Sequence, residues 1–375
     1  MTSNLQRISC VLTTVAVLTF TGAAFGGWTF IDLGSLDGRG CLGVDVNNAG
    51  QVTGYSTYEG GGDFDYHPFI WENGSMIDLG TIGDAYLAQP TAISEAGQVA
   101  GWSKIQPYPD NHAFFWENGT MTDLGTLGGS QTWGEGVNSA GHVVGYQSTP
   151  GCAFLWDGTT MQDLNSSSNP DWQLTGALDI NDSEQIVGQG NIDGSTRAFL
   201  YDAGVITNLG VLGTGDNSSA NAISESGIIV GRSTNGETYR PGPGPMTRPV
   251  NHGFLWQDGV MTDLGTLGGI LSEAFDVNAS GQVVGKANYT EGDFHHHHAF
   301  LWDDGVMIDL NDLLPAGSEW ELREATGIND LGYIVGWGMV NGVERGFILV
   351  PEPSTLTCLL GLGALLFARG RRNAS

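Results

Sequence analysis

The chain has 375 residues, of which 59 are glycine, 14% are charged and 40% are apolar. This composition excludes a disordered chain and points to many tight turns in place of long helices. Lys and Arg number 13 against 41 Asp and Glu, a net charge of −28; such a surface excludes nucleic acid and anionic membranes as partners and leaves divalent cations, cationic groups and neutral glycans.

In chain order the first feature is a targeting segment. Residues 1–7 carry one positive charge at Arg7, residues 8–20 are apolar, and the small-residue stretch ends in Ala23-Ala24-Phe25-Gly26. An apolar run of 13 residues is too short to span a bilayer comfortably, and this layout is that of a secretory signal peptide cleaved near Ala24 or Gly26. Residues 1–26 are therefore assigned to export, with the export machinery as a partner. Between the two terminal segments lie nine basic and 40 acidic residues, and only Cys41 and Cys152 of the four cysteines. The compartment permits a disulfide between them, but they lie two repeats apart, so two buried free thiols are expected.

Residues 27–349 consist of seven copies of one unit. It is clearest in Asp263-Leu264-Gly265-Thr266-Leu267-Gly268-Gly269, then Phe275 to Gly285, then His298-Ala299-Phe300-Leu301-Trp302. An Asn-x-x-Gly-like turn begins at Asn47, Ser94, Asn138, Asn181, Ser224, Asn278 and Asn329. A phenylalanine recurs at Phe69, Phe114, Phe154, Phe199, Phe254, Phe300 and Phe347. The period of 43 to 54 residues is that of a propeller blade and is long for a β-solenoid coil.

Each unit reads as four short strands. Strand A is the small-residue segment before the turn, such as Ala222-Ile223. Strand B is the Gln-Val-Val-Gly type, as at residues 282–285. Strand C is Ala-Phe-Leu-Trp, as at 153–156, and strand D is Met-Thr-Asp-Leu, as at 121–124. Asn118-Gly119 and Asp258-Gly259 between C and D suit the positive φ angles of a type I′ hairpin. Strand C is apolar on both faces, so the sheet must be covered on both sides, which stacked blades do for one another. The seventh unit stops after strand C, while an orphan strand D, residues 28–33, precedes the first unit. The first strand can therefore complete the last blade. The predicted fold is all-β: a seven-bladed propeller of four-stranded blades closed by the N-terminal strand.

Residues 350–375 form a second targeting segment. Pro351-Glu352-Pro353 is followed by an apolar run at 356–368 and by Arg369, Arg371 and Arg372. The arginines stay on the cytoplasmic side and leave the body outside. The run of 13 residues, about 20 Å as a helix, suits transient inner-membrane anchoring more than a permanent span. In having the Pro-Glu-Pro motif, the apolar segment and the basic cluster in this order, the tail resembles the PEP-CTERM sorting signal of exopolysaccharide-producing bacteria. The resemblance implies processing by an exosortase-type enzyme and delivery to the cell surface or outside.

The body in turn resembles the extracellular HAF-repeat family. His112-Ala113-Phe114 and His298-Ala299-Phe300 carry that motif, His252-Gly253-Phe254 and His67-Pro68-Phe69 come close to it, and Cys152, Arg197 and Arg345 replace the histidine in the other units. The resemblance implies an extracellular repeat protein of poorly defined function, often bearing this sorting tail, and brings no catalytic residues.

Insertions concentrate in the B–C loops of units one, two, five and six, at 58–67, 104–112, 234–252 and 288–298. In a propeller these loops share one face with the D–A loops. Their aromatic residues Tyr58, Phe64, Tyr66, Tyr108, Tyr239, Tyr289 and Phe294 suit the faces of sugars. That face is the expected binding surface, with length drift in unconstrained loops as the alternative explanation of the insertions. Asp63, Asp65, Glu291 and Asp293 could ligate calcium, although no EF-hand pattern frames them, and His295 and His296 belong to a four-histidine run that could hold a transition metal. No other cofactor is indicated. No nucleophile triad, phosphate loop or HExxH motif is evident, and the histidine opening strand C recurs with the repeat, as a packing or hydrogen-bonding residue does. The expected function is that of a non-enzymatic surface propeller binding extracellular polysaccharide or a surface protein. An extracellular enzyme acting on polysaccharide and a purely structural surface protein stay open as alternatives.

Overall fold

The computed structural model of the protein describes residues 23–25, 27–58, 60, 62, 65–83, 85–105, 110–166, 170–241, 245–290 and 296–352. Seven antiparallel sheets stand in a ring, each with its strands in the order A-B-C-D from the axis outward. Strands A of neighbouring blades touch all the way round, including blade seven against blade one. The chain is thus a closed seven-bladed β-propeller. In blade one the strands are Cys41–Val46, Val52–Thr57, Tyr66–Glu72 and Ser75–Asp78.

Blade seven is made from both ends of the body. Trp320–Ile328, Ile334–Val340 and Val343–Pro351 supply strands A, B and C, and Trp28–Asp32 supplies strand D. Phe30, Ile31 and Asp32 pair with Leu349, Ile348 and Phe347. The closure expected from the orphan strand is present, and the apolar edge of the last strand C is hidden. A further short strand, Ala23–Phe25, adds to the outside of Trp28–Asp32. Strand C of blade seven continues through Pro351, which pairs with Trp28, and the Glu352 amide donates to the Gly27 carbonyl at 2.7 Å. The propeller therefore overlaps the start of the sorting tail instead of ending at 349.

Packing explains the repeat residue by residue. All seven strand-C phenylalanines are completely buried between blades. At about 1.5–3 kcal/mol each, their burial is gross stabilisation comparable with the net stability of a domain. Strand A carries a β-bulge in every blade, for example between Gly134 and Gly136 in blade three. The bulge pushes a strand-A carbonyl against strand B at the glycine of Val-Val-Gly. At Gly145 a Cβ would overlap the Trp133 carbonyl oxygen and approach the Phe154 ring to 2.8 Å. Glycine recurs there because nothing larger fits between the bulge and the phenylalanine.

The turns follow the expected chemistry. Asn118 and Gly119 have φ of 50° and 82°, the signature of a type I′ hairpin. The A–B turns end on a positive-φ glycine except in blade four, where Glu184 takes φ 62°. The segment 234–252, expected as a loop, is largely strand. Ile229–Tyr239 and Arg248–Gln257 continue past the blade as a hairpin arm, with Tyr239 paired to Arg248. Cys41 and Cys152 are free and buried, and burial pushes their thiols up to about 12 and about 11.

Candidate functional site

The ring has two mouths of different character. At the A–B mouth the turn residues staple the blades together. Asn47 Nδ2 donates to the Ser94 carbonyl at 3.1 Å, and Asn329 Nδ2 closes the circle on the Asn47 carbonyl at 2.9 Å. Two residues before the turn asparagine, blades one, four and six carry Asp45, Asp179 and Asp276. Each carboxylate accepts the next residue's amide and one from the following blade: Asp45 from Val46 and Ile93, Asp179 from Ile180 and Ile223, Asp276 from Val277 and Ile328, all at 2.7–2.9 Å. Burial pushes all three carboxyls up, Asp179 to about 7, and at Asp276 the charges of Asp45 and Asp179 add to the effect. The neighbouring blade makes room with a small residue. A Cβ on Gly136 would come within 2.8 Å of the Asp179 backbone, and one on Gly327 within 2.9 Å of Asp45. The pocket of about 120 Å³ at this mouth is lined by seven carboxylates and no Lys, Arg or His. Glu95, Asp182, Glu225 and Asp330 accept the amides of Asn48, Ser139, Asp182 and Ala279 across blade boundaries. These acids are spent on holding the ring together.

The B–C mouth is different. The residue after the strand-B glycine differs from blade to blade. In ring order from blade seven it is Trp337, Tyr55, Trp102, Tyr146, Gln189, Arg232 and Lys286. Arg232 is exposed and the other six are partly open to solvent, in strands whose remaining residues are mostly buried. The opposing strand-A residues include Leu42, Gln89 and Trp133 on blades one to three, Glu273 opposite Lys286 on blade six, and Glu324 opposite Trp337 on blade seven. The funnel thus has an aromatic arc on blades seven to three and a polar, charged arc on blades four to six, with Glu324 of blade seven at the junction of the two.

Both arcs are internally ordered. Trp133 stacks on Tyr146 with centroids 4.9 Å apart and 14° between planes. In the charged arc, Arg232 lies 3.3 Å from Glu273, and Lys286 lies 2.9 Å from Glu324, each pair bridging neighbouring blades. His297 also approaches Glu324, at 3.2 Å. Although burial works against it, the approach of the His297 ring and the charge and hydrogen bond of Lys286 hold the Glu324 carboxyl at about 2. A cleft of about 350 Å³ opens here, lined by Arg232, Asn251, Glu273, Lys286, Asn288 and His297. One residue beyond Gly134 on the same strand as Trp133, Glu135 occupies the bulge and is partly open to solvent. Burial pushes its carboxyl up to about 7.

The loop residues singled out in the sequence lie around the rim of this face. Tyr58 stacks on His67 and Tyr289 on His298, each at 3.7 Å within its own blade. Tyr66 meets Tyr55 edge-on at 5.3 Å, and Tyr239 sits on the hairpin arm of blade five. Phe64, Tyr108 and Phe294 lie outside the described residues, as do Asp63, Glu291, Asp293 and His295. Asp65 Oδ2 accepts the Gly62 amide at 2.6 Å, and His296 is exposed. Among the described residues no group of three or more His, Cys, Asp or Glu is arranged to hold a metal ion.

The repeated histidine has a repeated partner. His67, His112, His252 and His298 contact Asp78, Asp123, Asp263 and Asp309 at 2.6–2.9 Å. The same carboxylates accept the amides of Gly80, Gly125, Gly265 and Asn311, which shapes the D–A loop. In blade seven Arg345 takes the histidine's place against Asp32, at 3.2 Å. The pair pins the start of strand C to the end of strand D. The funnel went unread in the sequence because its residues sit inside strands. The available signal was variability at one position beside a glycine that never varies.

A seven-bladed propeller with a stapled acidic mouth and a mixed aromatic and charged funnel defines the class of protein. Residues 349–372 match the PEP-CTERM protein-sorting motif. The chain is thus an exported propeller with a C-terminal sorting tail, and the motif implies processing by an exosortase-type enzyme. Pro351 and Glu352 of that tail lie at the end of blade seven, while Pro353, Arg369, Arg371, Arg372 and, of the expected signal peptide 1–26, residues 1–22 and 26 lie outside the described residues. No helix among the described residues is long and apolar enough to cross a membrane. No curated protein matches the chain. Among solved structures it is similar to TolB from Acinetobacter baumannii, at 13% identity over 84% of this chain and 65% of that one, TM-score 0.43. It is similar to a gluconolactonase from Xanthomonas campestris, at 10% identity over 88% and 91%, TM-score 0.40. It is also similar to Trypanosoma rangeli sialidase in complex with sialic acid, at 11% identity over 95% and 62%, TM-score 0.38. The chain spans less than two thirds of the TolB and sialidase chains.

Proposed function

We propose that this protein is a cell-surface propeller that binds an extracellular polysaccharide, without chemistry, in the funnel of its B–C face. The observation that carries the reading is the arc of Trp337, Tyr55, Trp102, Trp133 and Tyr146, continued round the ring by Gln189, Arg232, Glu273 and Lys286, with Glu324 beside Trp337 where the two arcs meet. Aromatic faces pack on the C–H surface of a sugar ring, and planar polar groups opposite them bond its hydroxyls. The rim tyrosines Tyr58, Tyr66 and Tyr289 extend the same surface outward. Calcium has no role in this mode of binding.

Binding is favoured over catalysis by the state of the carboxylates. Glycoside hydrolysis needs an acid and a second carboxylate facing each other across the bond. Glu273 and Glu324 are instead paired with Arg232 and Lys286, which leaves Glu135 as a single unpaired carboxylate among the described funnel residues where hydrolysis needs two. The test is co-sedimentation of the protein with the producing cell's own polysaccharide, with and without a chelator. The expected result is retention in both buffers and its loss in a Trp102→Ala, Trp133→Ala double variant that melts like the parent. Retention by that variant would overturn the assignment of the funnel, and release by the chelator would move binding to the acidic surface.

A further inference from the structure

We propose that blade three gives the funnel a subsite for a cationic nitrogen, an ammonium carried by the bound ligand and held by Glu135 against the stacked rings of Trp133 and Tyr146. The inference rests on the polysaccharide reading for the source of that nitrogen, a de-N-acetylated amino sugar.

Strand A of blade three spans Thr132–Val137. Thr132, Gly134 and Gly136 are buried, while Trp133 and Glu135 between them are partly open. Glu135 lies in the bulge between Gly134 and Gly136, one residue beyond the one paired with Gly145, and its charge reaches the Tyr146 hydroxyl. Tyr146, opposite Trp133 in strand B, doubles the aromatic surface. Of the three funnel carboxylates, Glu273 and Glu324 are matched by Arg232 and Lys286. Glu135 has no hydrogen-bond or ion-pair partner among the described residues. A carboxylate beside aromatic faces, with no cation of its own, is complementary to an ammonium: the rings offer their negative faces and the carboxylate the counter-charge.

The surroundings leave Glu135 as the group that titrates. Tyr146 stays neutral, its hydroxyl pushed up to about 12 by burial and by the Glu135 charge. Asp179, on strand A of blade four, has its oxygens taken by the Ile180 and Ile223 amides. Strand A of blade two, Ala88–Ile93, has no ionisable side chain, and its Thr91 hydroxyl donates to the Gly134 carbonyl at 2.9 Å. Burial favours the protonated acid, and an incoming ammonium favours the ionised one, so binding should release a proton.

The experiment titrates the purified protein, by its tryptophan fluorescence, with four probes: an oligomer of β-linked glucosamine, its N-acetylated form, its N-trimethylated form and choline. The expected result is at least about tenfold tighter binding of the free-amine oligomer than of the acetylated one, with the preference abolished in Glu135→Gln. The trimethylated probe, whose charge does not titrate, should bind about tenfold more tightly at pH 8 than at pH 6, and the variant should show no such rise. Equal binding of amine and acetylated oligomers would overturn the subsite while leaving the polysaccharide reading intact. Failure of every probe would overturn both. Tighter binding of choline than of any sugar would keep the ammonium chemistry and overturn the sugar as its source. Should Glu135→Gln melt early, the pH dependence of the parent protein alone decides the matter.

Discussion

Raising the pH from 5 to 8 should destabilise the propeller, and replacing Asp179 by Asn should remove a defined share of that loss. In the ring burial pushes the Asp179 carboxyl up to about 7, against the opposing pull of the Ile223 and Ile180 amides, from an ordinary value of 3.8. A folded value above the unfolded one means that the native state keeps a proton that the unfolded chain releases. Stability then falls as pH rises: the contribution is whole below about pH 4 and gone above about pH 7. Its size is on the order of 4 kcal/mol. For a body of about 320 residues the melting entropy is about 0.7 kcal/mol per degree, so the change is about 6 °C in Tm. Asp45, Asp276 and Glu135 are raised too, and so is His252, so each adds a loss of the same sign. Asp78, Asp263 and Asp309 are held below their usual range, so their contribution is lost only as pH falls below about 4, outside the window. Asparagine at 179 cannot ionise. Its Nδ2 cannot accept an amide, which costs about 1–3 kcal/mol at every pH. Because the unfolded carboxyl is already ionised at pH 5, only about 2.7 kcal/mol of the carboxyl's contribution remains to be lost between pH 5 and pH 8, so the Tm of Asp179→Asn relative to the parent should rise by about 4 °C over that window, read by circular dichroism at constant ionic strength. A parent Tm that climbs over this range, or a gap that stays constant, would refute the buried-carboxylate argument.

Three other outcomes follow from the packing. Phe154→Ala should cost about 3–5 kcal/mol in urea unfolding, since the ring is wholly enclosed between blades; an unchanged midpoint would mean strand C is not core. Glu184→Gly should stabilise by about 1 kcal/mol, because it puts glycine at the one A–B turn whose positive φ is borne by another residue. Part of that gain is offset by loss of the 3.2 Å contact with His142, so the comparison belongs at high salt, and a loss of stability there would contradict it. Deleting residues 23–33 should open blade seven, expose the edge that pairs with Phe30 and Ile31, and replace a single cooperative melt with aggregation; a monomer melting like the parent would mean the ring closes without its N-terminal strand.

Much of the fold was legible in the sequence because its signals are local and repeated. A hairpin such as Asn118-Gly119 declares its turn within two residues, and seven phenylalanines at one place in the unit declare a buried strand. The orphan strand before unit one and the missing strand after unit seven together announced a ring. Less legible was the hairpin arm of blade five: its Gly236 and the proline-rich stretch after Arg240 read as loop, while pairing of Tyr239 with Arg248 extends the strands beyond the blade. The recurring histidine and the aspartate eleven residues later were both visible, but their contact depends on strand C lying beside strand D in register.

What the sequence alone determined was the unit, its number, its strand order, the way the ring shuts and the sorting tail, because each depends on residues near one another or on a count. What only the tertiary structure decided was the use of the positions that vary. Trp133, Lys286 and Trp337 stand in different repeats, and nothing in any one blade marks them as neighbours across a funnel. Asp45, Asp179 and Asp276 likewise appear as scattered acids until the strand-A bulge turns each toward the amide of the next blade. Such relations exist only between blades, and they form when the last strand closes the circle and brings residues far apart in the chain to one mouth.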